Sequence, residues 1–161
     1  MQIRFGGDRV WEAYDPILLH DAIFTDKYYD RWIDIGPVLR FKVGRYQLTI
    51  RKCLDRGMSV EHCDMEDGKE GYRSWSSLVG DNESHEYMNI WPEDPEGSAW
   101  RVRYVVAHAL AWQAVEYFAQ SGGLRDPSLP WGVFAAPESP LRMLTPDEIR
   151  SVPAGDPTRT S

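Results

Sequence analysis

The sequence predicts an α+β domain: an antiparallel or mixed sheet of about five to seven strands packed against one long C-terminal helix and a short N-terminal helix. Three observations predict it. Short runs of alternating apolar and polar residues, separated by glycine-containing turns, recur through the first half of the chain. One stretch, Arg103 to Gln120, lacks both Gly and Pro, is rich in Ala, and runs into Ser121-Gly122-Gly123. The 161 residues are 42% hydrophobic and 12% aromatic with seven Trp, a composition that fills the core of one ordinary domain.

Gln2 to Phe5 and Arg9 to Tyr14 are candidate strands around the Gly6-Gly7-Asp8 turn. Asp15-Pro16 starts a helix, because an Asp side chain caps orphan amides and Pro is tolerated at the first helical position. Ile17, Leu18, Ala22 and Ile23 give that helix one apolar side. Val38 to Val43 and Tyr46 to Cys53 alternate cleanly and meet at Gly44-Arg45. After a turn at Asp55-Arg56-Gly57, Met58 to Asp64 continues an antiparallel meander. Tyr72 to Val79 and His85 to Trp91 add two strands around Gly80-Asp81-Asn82.

In the helix over 103–120, Tyr104, Ala107, Ala111, Val115 and Phe118 fall near one face, with Val106, Leu110, Ala114 and Tyr117 beside them. Such a wide apolar sector belongs under a sheet. Leu129 to Phe134 is a final short strand whose Trp131 packs inward. The domain is expected to span 1–135, leaving 136–161 as an irregular Pro-rich tail in which Thr145-Pro146-Asp147-Glu148 begins one helical turn.

The formal charge of −7 is unevenly placed. Residues 1–54 hold nine basic and seven acidic groups, 55–98 hold three and twelve, and 99–161 hold six of each. The excess therefore lies in the middle. A negative field repels phosphate backbones and attracts basic surfaces, so a basic protein is the expected partner and nucleic acid is not. No apolar run reaches the roughly 18 residues of a membrane span, and the start lacks a signal-sequence pattern, so a cytoplasmic protein is expected.

Motifs for chemistry are sparse. Cys53, His62 and Cys63 are of metal-ligand type, but no Cys-x-x-Cys pair occurs and adjacent strand residues face opposite sides. Two cysteines make no disulfide framework, although one bridge between them is open. A Cys/His catalytic pair needs a base within reach and an oxyanion site, and neither has a local signature. His108 lies within the predicted helix, and His20 and His85 are equally unsupported. Neither glycine-rich phosphate-binding pattern is present. The paired carboxylates Glu66-Asp67 and Glu93-Asp94 leave an acid–base hydrolase as the alternative reading. No cofactor, metal ligand or catalytic residue is assigned.

The acidic middle interleaves its carboxylates with aromatics. Tyr72, Trp75, Tyr87, Trp91 and Trp100 are mixed with Asp64, Glu66, Asp67, Glu70, Asp81, Glu83, Glu86, Glu93 and Glu96. Desolvated aromatic anchors within a steering charge are the ingredients of a protein-binding surface.

Two segments resemble immunity protein family one, bacterial proteins that bind and block a cognate polymorphic-toxin domain. One runs from Leu48-Thr49-Ile50-Arg51 through Met58-Ser59-Val60-Glu61-His62 and Met65-Glu66-Asp67-Gly68 to Leu78-Val79-Gly80-Asp81. The other is Ala114-Val115-Glu116-Tyr117-Phe118-Ala119-Gln120-Ser121-Gly122, followed by a Pro-containing turn and Leu129-Pro130-Trp131. The resemblance covers somewhat more than half of the chain and carries no catalytic motif. It implies a non-enzymatic antitoxin that inhibits a deaminase or nuclease toxin, as a monomer in a 1:1 complex; from the interleaved pattern, the expected toxin-binding residues are Asp64, Glu66, Asp67, Glu70, Tyr72, Trp75, Asp81, Glu83, Glu86, Trp91 and Glu93. A small hydrolase or nucleotide-modifying enzyme built on the same carboxylates is the competing expectation, and a self-associating structural subunit a third.

Overall fold

The computed structural model describes residues 1–5, 9–11, 15–24, 38–53, 57–65, 72–80, 84, 86–89, 99–133 and 141–150. Among the described residues there are eleven strands: β1 (Gln2–Phe5), β2 (Arg9–Trp11), β3 (Val38–Val43), β4 (Tyr46–Lys52), β5 (Met58–Met65), β6 (Tyr72–Leu78), β7 (Tyr87–Asn89), β8 (Ala99–Arg101), β9 (Val105–Val106), β10 (Trp131–Val133) and β11 (Arg142–Met143). The helices are α1 (Pro16–Phe24), α2 (His108–Gln120) and α3 (Pro146–Arg150).

Nine strands form one sheet in the order β11-β10-β6-β5-β4-β3-β1-β2, with β9 added beside β5, and every pairing is antiparallel. The α+β class is as expected. The strand number is higher than expected because β9 and β11, two residues each, are too short for alternation to reveal.

The centre of the sheet follows from local sequence. In β3 and β4, Leu39 pairs with Ile50 and Phe41 with Leu48, so four apolar side chains share one face. Val60 of β5 continues that face opposite Ile50. Leu78 and Trp131 extend it across β6 and β10, since Trp131 pairs with Leu78. All three helices cover this side: Leu19 of α1, Ala111, Ala114, Val115 and Phe118 of α2, and Ile149 of α3 join the same buried cluster. Trp131 is fully buried, and its indole N–H donates to the Asp126 carbonyl at 3.0 Å, as a core Trp requires.

α1 begins where expected, with the Asp15 carboxylate accepting the Ile17 N–H at 3.0 Å. α2 does not. Residues 103–107, predicted as its first turns, form a 3-10 turn at Val102–Tyr104 and then β9, whose Val105 and Val106 pair with Ser59 and Met58. Three valines in five positions favour extended backbone, and pairing with β5 decides the matter. Gly80 belongs to this arrangement, because a Cβ there would lie 2.2 Å from the Val105 carbonyl oxygen. The helix is thus 13 residues long and is not the last element of the chain.

In the segment expected to be an irregular tail, α3 stands at the helical turn expected from Thr145-Pro146-Asp147-Glu148, but the segment is not separate from the sheet. β11 pairs with β10, and Ile149 of α3 is 3% exposed within the core. Residues 142–150 therefore belong to the domain. A two-residue strand carries too little periodicity to be seen alone; here pairing with β10 forms β11.

The opposite face of the sheet is divided. On β3, Arg40 and Lys42 are exposed, whereas Thr49, Ser59, Glu61, Cys63 and Ser77 are buried. β5 is consequently enclosed on both sides, with an apolar and a polar surface. No helix among the described residues is long and apolar enough to cross a membrane.

Candidate functional site

His62 lies on the helix-facing side of β5, stacked on Tyr46 with ring centroids 5.8 Å apart, and meets Phe118 and Trp131 edge-on at 5.9 and 6.2 Å. Its Nε2 is 2.8 Å from the Gly123 carbonyl oxygen. A carbonyl only accepts, so Nε2 carries the proton and Nδ1 is left as a bare lone pair, buried and without a hydrogen-bond partner among the described residues. Burial holds the imidazole down at about pKa 4, so it is neutral at pH 7. Ser76 sits directly across from it and Asp64 two residues along the strand, yet these three do not form a nucleophile–base–acid relay. The Ser76 hydroxyl accepts from Arg125 at 3.0 Å, and the Asp64 carboxylate is forked by Arg45.

The thiols are equally passive. Burial pushes Cys53 up to about 11, and burial with the Glu61 carboxylate pushes Cys63 up to about 12, so both stay protonated at neutral pH. They are also far apart. The Cys53 amide is bonded to Gly57, and Cys63 lies six residues further along β5, roughly 20 Å at the rise of a strand. An intrachain disulfide needs Cα atoms within about 7 Å, so this register leaves both thiols free. His62 and Cys63 face opposite sides of the sheet. No group of three or more potential metal ligands converges among the described residues.

His20 and His108 occupy the contact between α1 and α2. His20 meets Trp112 edge-on at 4.9 Å, and His108 lies against Phe24 at 5.1 Å. Both are packing partners of aromatic rings.

Asp64, expected on a partner-facing surface, is instead fully buried and paired with Arg45. Glu61 is 5% exposed and paired with Arg51. Two of the twelve carboxylates in 55–98 are therefore turned inward onto arginines of the N-terminal third. Alternation alone did not distinguish them, because β5 is covered on both faces and polar residues on it are no sign of solvent.

Glu86 is exposed, as a contact residue must be. Tyr72 and Trp75 occupy β6 opposite Met65 and Cys63, but their side chains lie outside the described ones. Glu66, Asp67, Glu70, Asp81, Glu83, Trp91 and Glu93 lie outside the described residues altogether.

Next to Glu86 the structure brings together two residues that the sequence analysis did not join. β7 and β8 form a separate two-stranded sheet in which Tyr87 pairs with Arg101. Arg101 Nε donates to the Tyr87 phenol oxygen at 2.9 Å, and the guanidinium carbon lies 5.4 Å from the ring centroid. Tyr87 nevertheless remains 58% exposed. Fourteen residues separate the pair, so no short-range turn signal connects them.

This small sheet is tied to the large one. The Val102 N–H donates to the Glu86 carbonyl at 3.0 Å, buried Arg103 donates to the Ser84 carbonyl at 3.0 Å, and the Gly80 N–H donates to the Arg103 carbonyl at 2.8 Å. Comparison of the chain with protein-family models, with curated proteins and with solved structures returned no match in any of the three.

Proposed function

We propose that this protein is an immunity-type inhibitor, which binds a cognate toxin domain stoichiometrically in the cytoplasm and covers its active site or substrate groove. The observation that carries the reading is the segregation of charge: twelve acidic against three basic residues in 55–98, within a chain that is otherwise near balance. A toxin that acts on nucleic acid as a deaminase or nuclease presents a basic groove. Carboxylates of this segment would occupy places that phosphates take, and no turnover is needed.

The state of the interior supports the same reading. His62 is neutral and sealed among aromatic rings, both thiols are protonated, and Asp64 and Glu61 are committed to arginines. These groups support the fold, while exposed Glu86 and Tyr87 sit within the acidic segment.

Co-expression tests the proposal. The toxin domain encoded beside this chain's gene should arrest growth alone and be neutralised when both are produced. The purified pair should elute as a 1:1 complex. Absence of a complex with that neighbour would sink the proposal.

A further inference from the structure

Resting on that toxin-binding reading, we infer that Tyr87 is the anchor of the interface and Arg101 its positioning residue. The pair would enter a pocket on the partner that has a hydrogen-bond acceptor for the phenol at its floor, with a cationic side chain only where its rim faces Glu86.

Two features argue for an anchor. An exposed aromatic side chain normally loses rotamer freedom when it is captured, and that loss opposes binding. Here the loss is already made, because Arg101 grips the phenol oxygen and lies over the ring from the directly paired position. The backbone beneath is held by the Val102–Glu86, Arg103–Ser84 and Gly80–Arg103 hydrogen bonds, so the ring stands on a support joined to the main sheet. Rigid, amphipathic tyrosines with few torsions are efficient contact residues for this reason.

The chemistry of the partner follows from the same atoms. The Tyr87 oxygen accepts from Arg101, which leaves the phenolic proton to be donated outward. The partner must therefore offer an acceptor such as a main-chain carbonyl. Glu86 is exposed beside it, so the part of that pocket's rim that faces Glu86 should carry Lys or Arg.

Binding of the purified, catalytically inactivated toxin domain encoded beside this chain's gene provides the test, by calorimetry on the full-length protein. Tyr87→Ala should weaken binding about 30-fold or more, and Tyr87→Phe about 5- to 10-fold, with unchanged melting temperatures. Arg101→Gln should weaken binding in the wild-type background and have no further effect in Tyr87→Ala. That non-additivity is a readout which a merely structural role would not produce. Tight wild-type binding with Tyr87→Ala within twofold would overturn the anchor assignment and leave the inhibitor reading standing. No binding by the wild type would overturn both.

Discussion

The His62 imidazole is locked in one tautomer by Gly123, whose carbonyl oxygen lies 2.8 Å from Nε2. The contact joins the middle of the central strand to the turn that ends α2, and a second proton could go only onto the buried Nδ1, which has no hydrogen-bond partner among the described residues.

Acid should therefore destabilise the fold through this residue. The folded-state pKa, about 4, lies below the ordinary value of 6.5, so between those values the unfolded chain binds more protons. The contribution is fully present above pH 6.5 and is lost as pH falls toward 4, reaching about 3 kcal/mol. Urea unfolding at pH 7, 5.5 and 4.5 measures it. His62→Gln, which keeps an N–H donor without a titration in this range, should show a flatter dependence. Asp126 and Glu148, held below the usual carboxylate range by hydrogen bonds, lose their contributions at still lower pH in both proteins.

Asp64 and Arg45 should respond unequally to mutation. Asp64 is fully buried, whereas Arg45 is 36% exposed at its side chain. Arg45→Met strands a buried carboxylate and should cost about 3 kcal/mol or more. Asp64→Asn leaves a neutral amide and a cation within reach of water, and should cost about 1 kcal/mol. Equal losses in denaturant titrations would contradict the burial asymmetry. Neither change should alter the salt dependence of toxin association, since this charge pair faces inward.

The Gly122-Gly123 turn offers an internal control. Both residues have positive φ, 78° and 100°, but a Cβ on Gly122 meets nothing within 4 Å while one on Gly123 lies 2.9 Å from the Tyr46 side chain. Gly122→Ala should cost about 1 kcal/mol from backbone strain alone. Gly123→Ala should cost roughly 1 to 3 kcal/mol more, as overpacked sites do. Thermal melts of the two variants give the comparison, and a chemical-shift change at Tyr46 should appear only in the second.

The C-terminal segment should act as part of the core. Arg125 donates to the Ser76 hydroxyl at 3.0 Å and to the Glu148 carbonyl at 3.2 Å, which draws α3 onto the sheet edge. Ile149→Ala should cost about 2 to 4 kcal/mol, in the range of buried aliphatic truncations. A chain ending at residue 140 should lose at least as much, and wild-type stability of that truncation would refute the packing.

The local, period-two signals in β3, β4 and β5 and the capping residue of α1 were readable because hairpins and helix starts are decided by neighbours in sequence. Trp131 was readable as core for the same reason that any large apolar residue in an alternating strand is. The start of α2 was not, because Val105 and Val106 choose extended backbone only in the presence of β5, nearly fifty residues earlier. Likewise, composition determined that negative charge is concentrated in 55–98. Only the tertiary structure decided that Glu61 and Asp64 are withdrawn from it and that Tyr87 stands clear beside Arg101. The physical reason is that charge is a sum over residues and can be counted along the chain. Burial and pairing depend on what the rest of the fold places against each side chain.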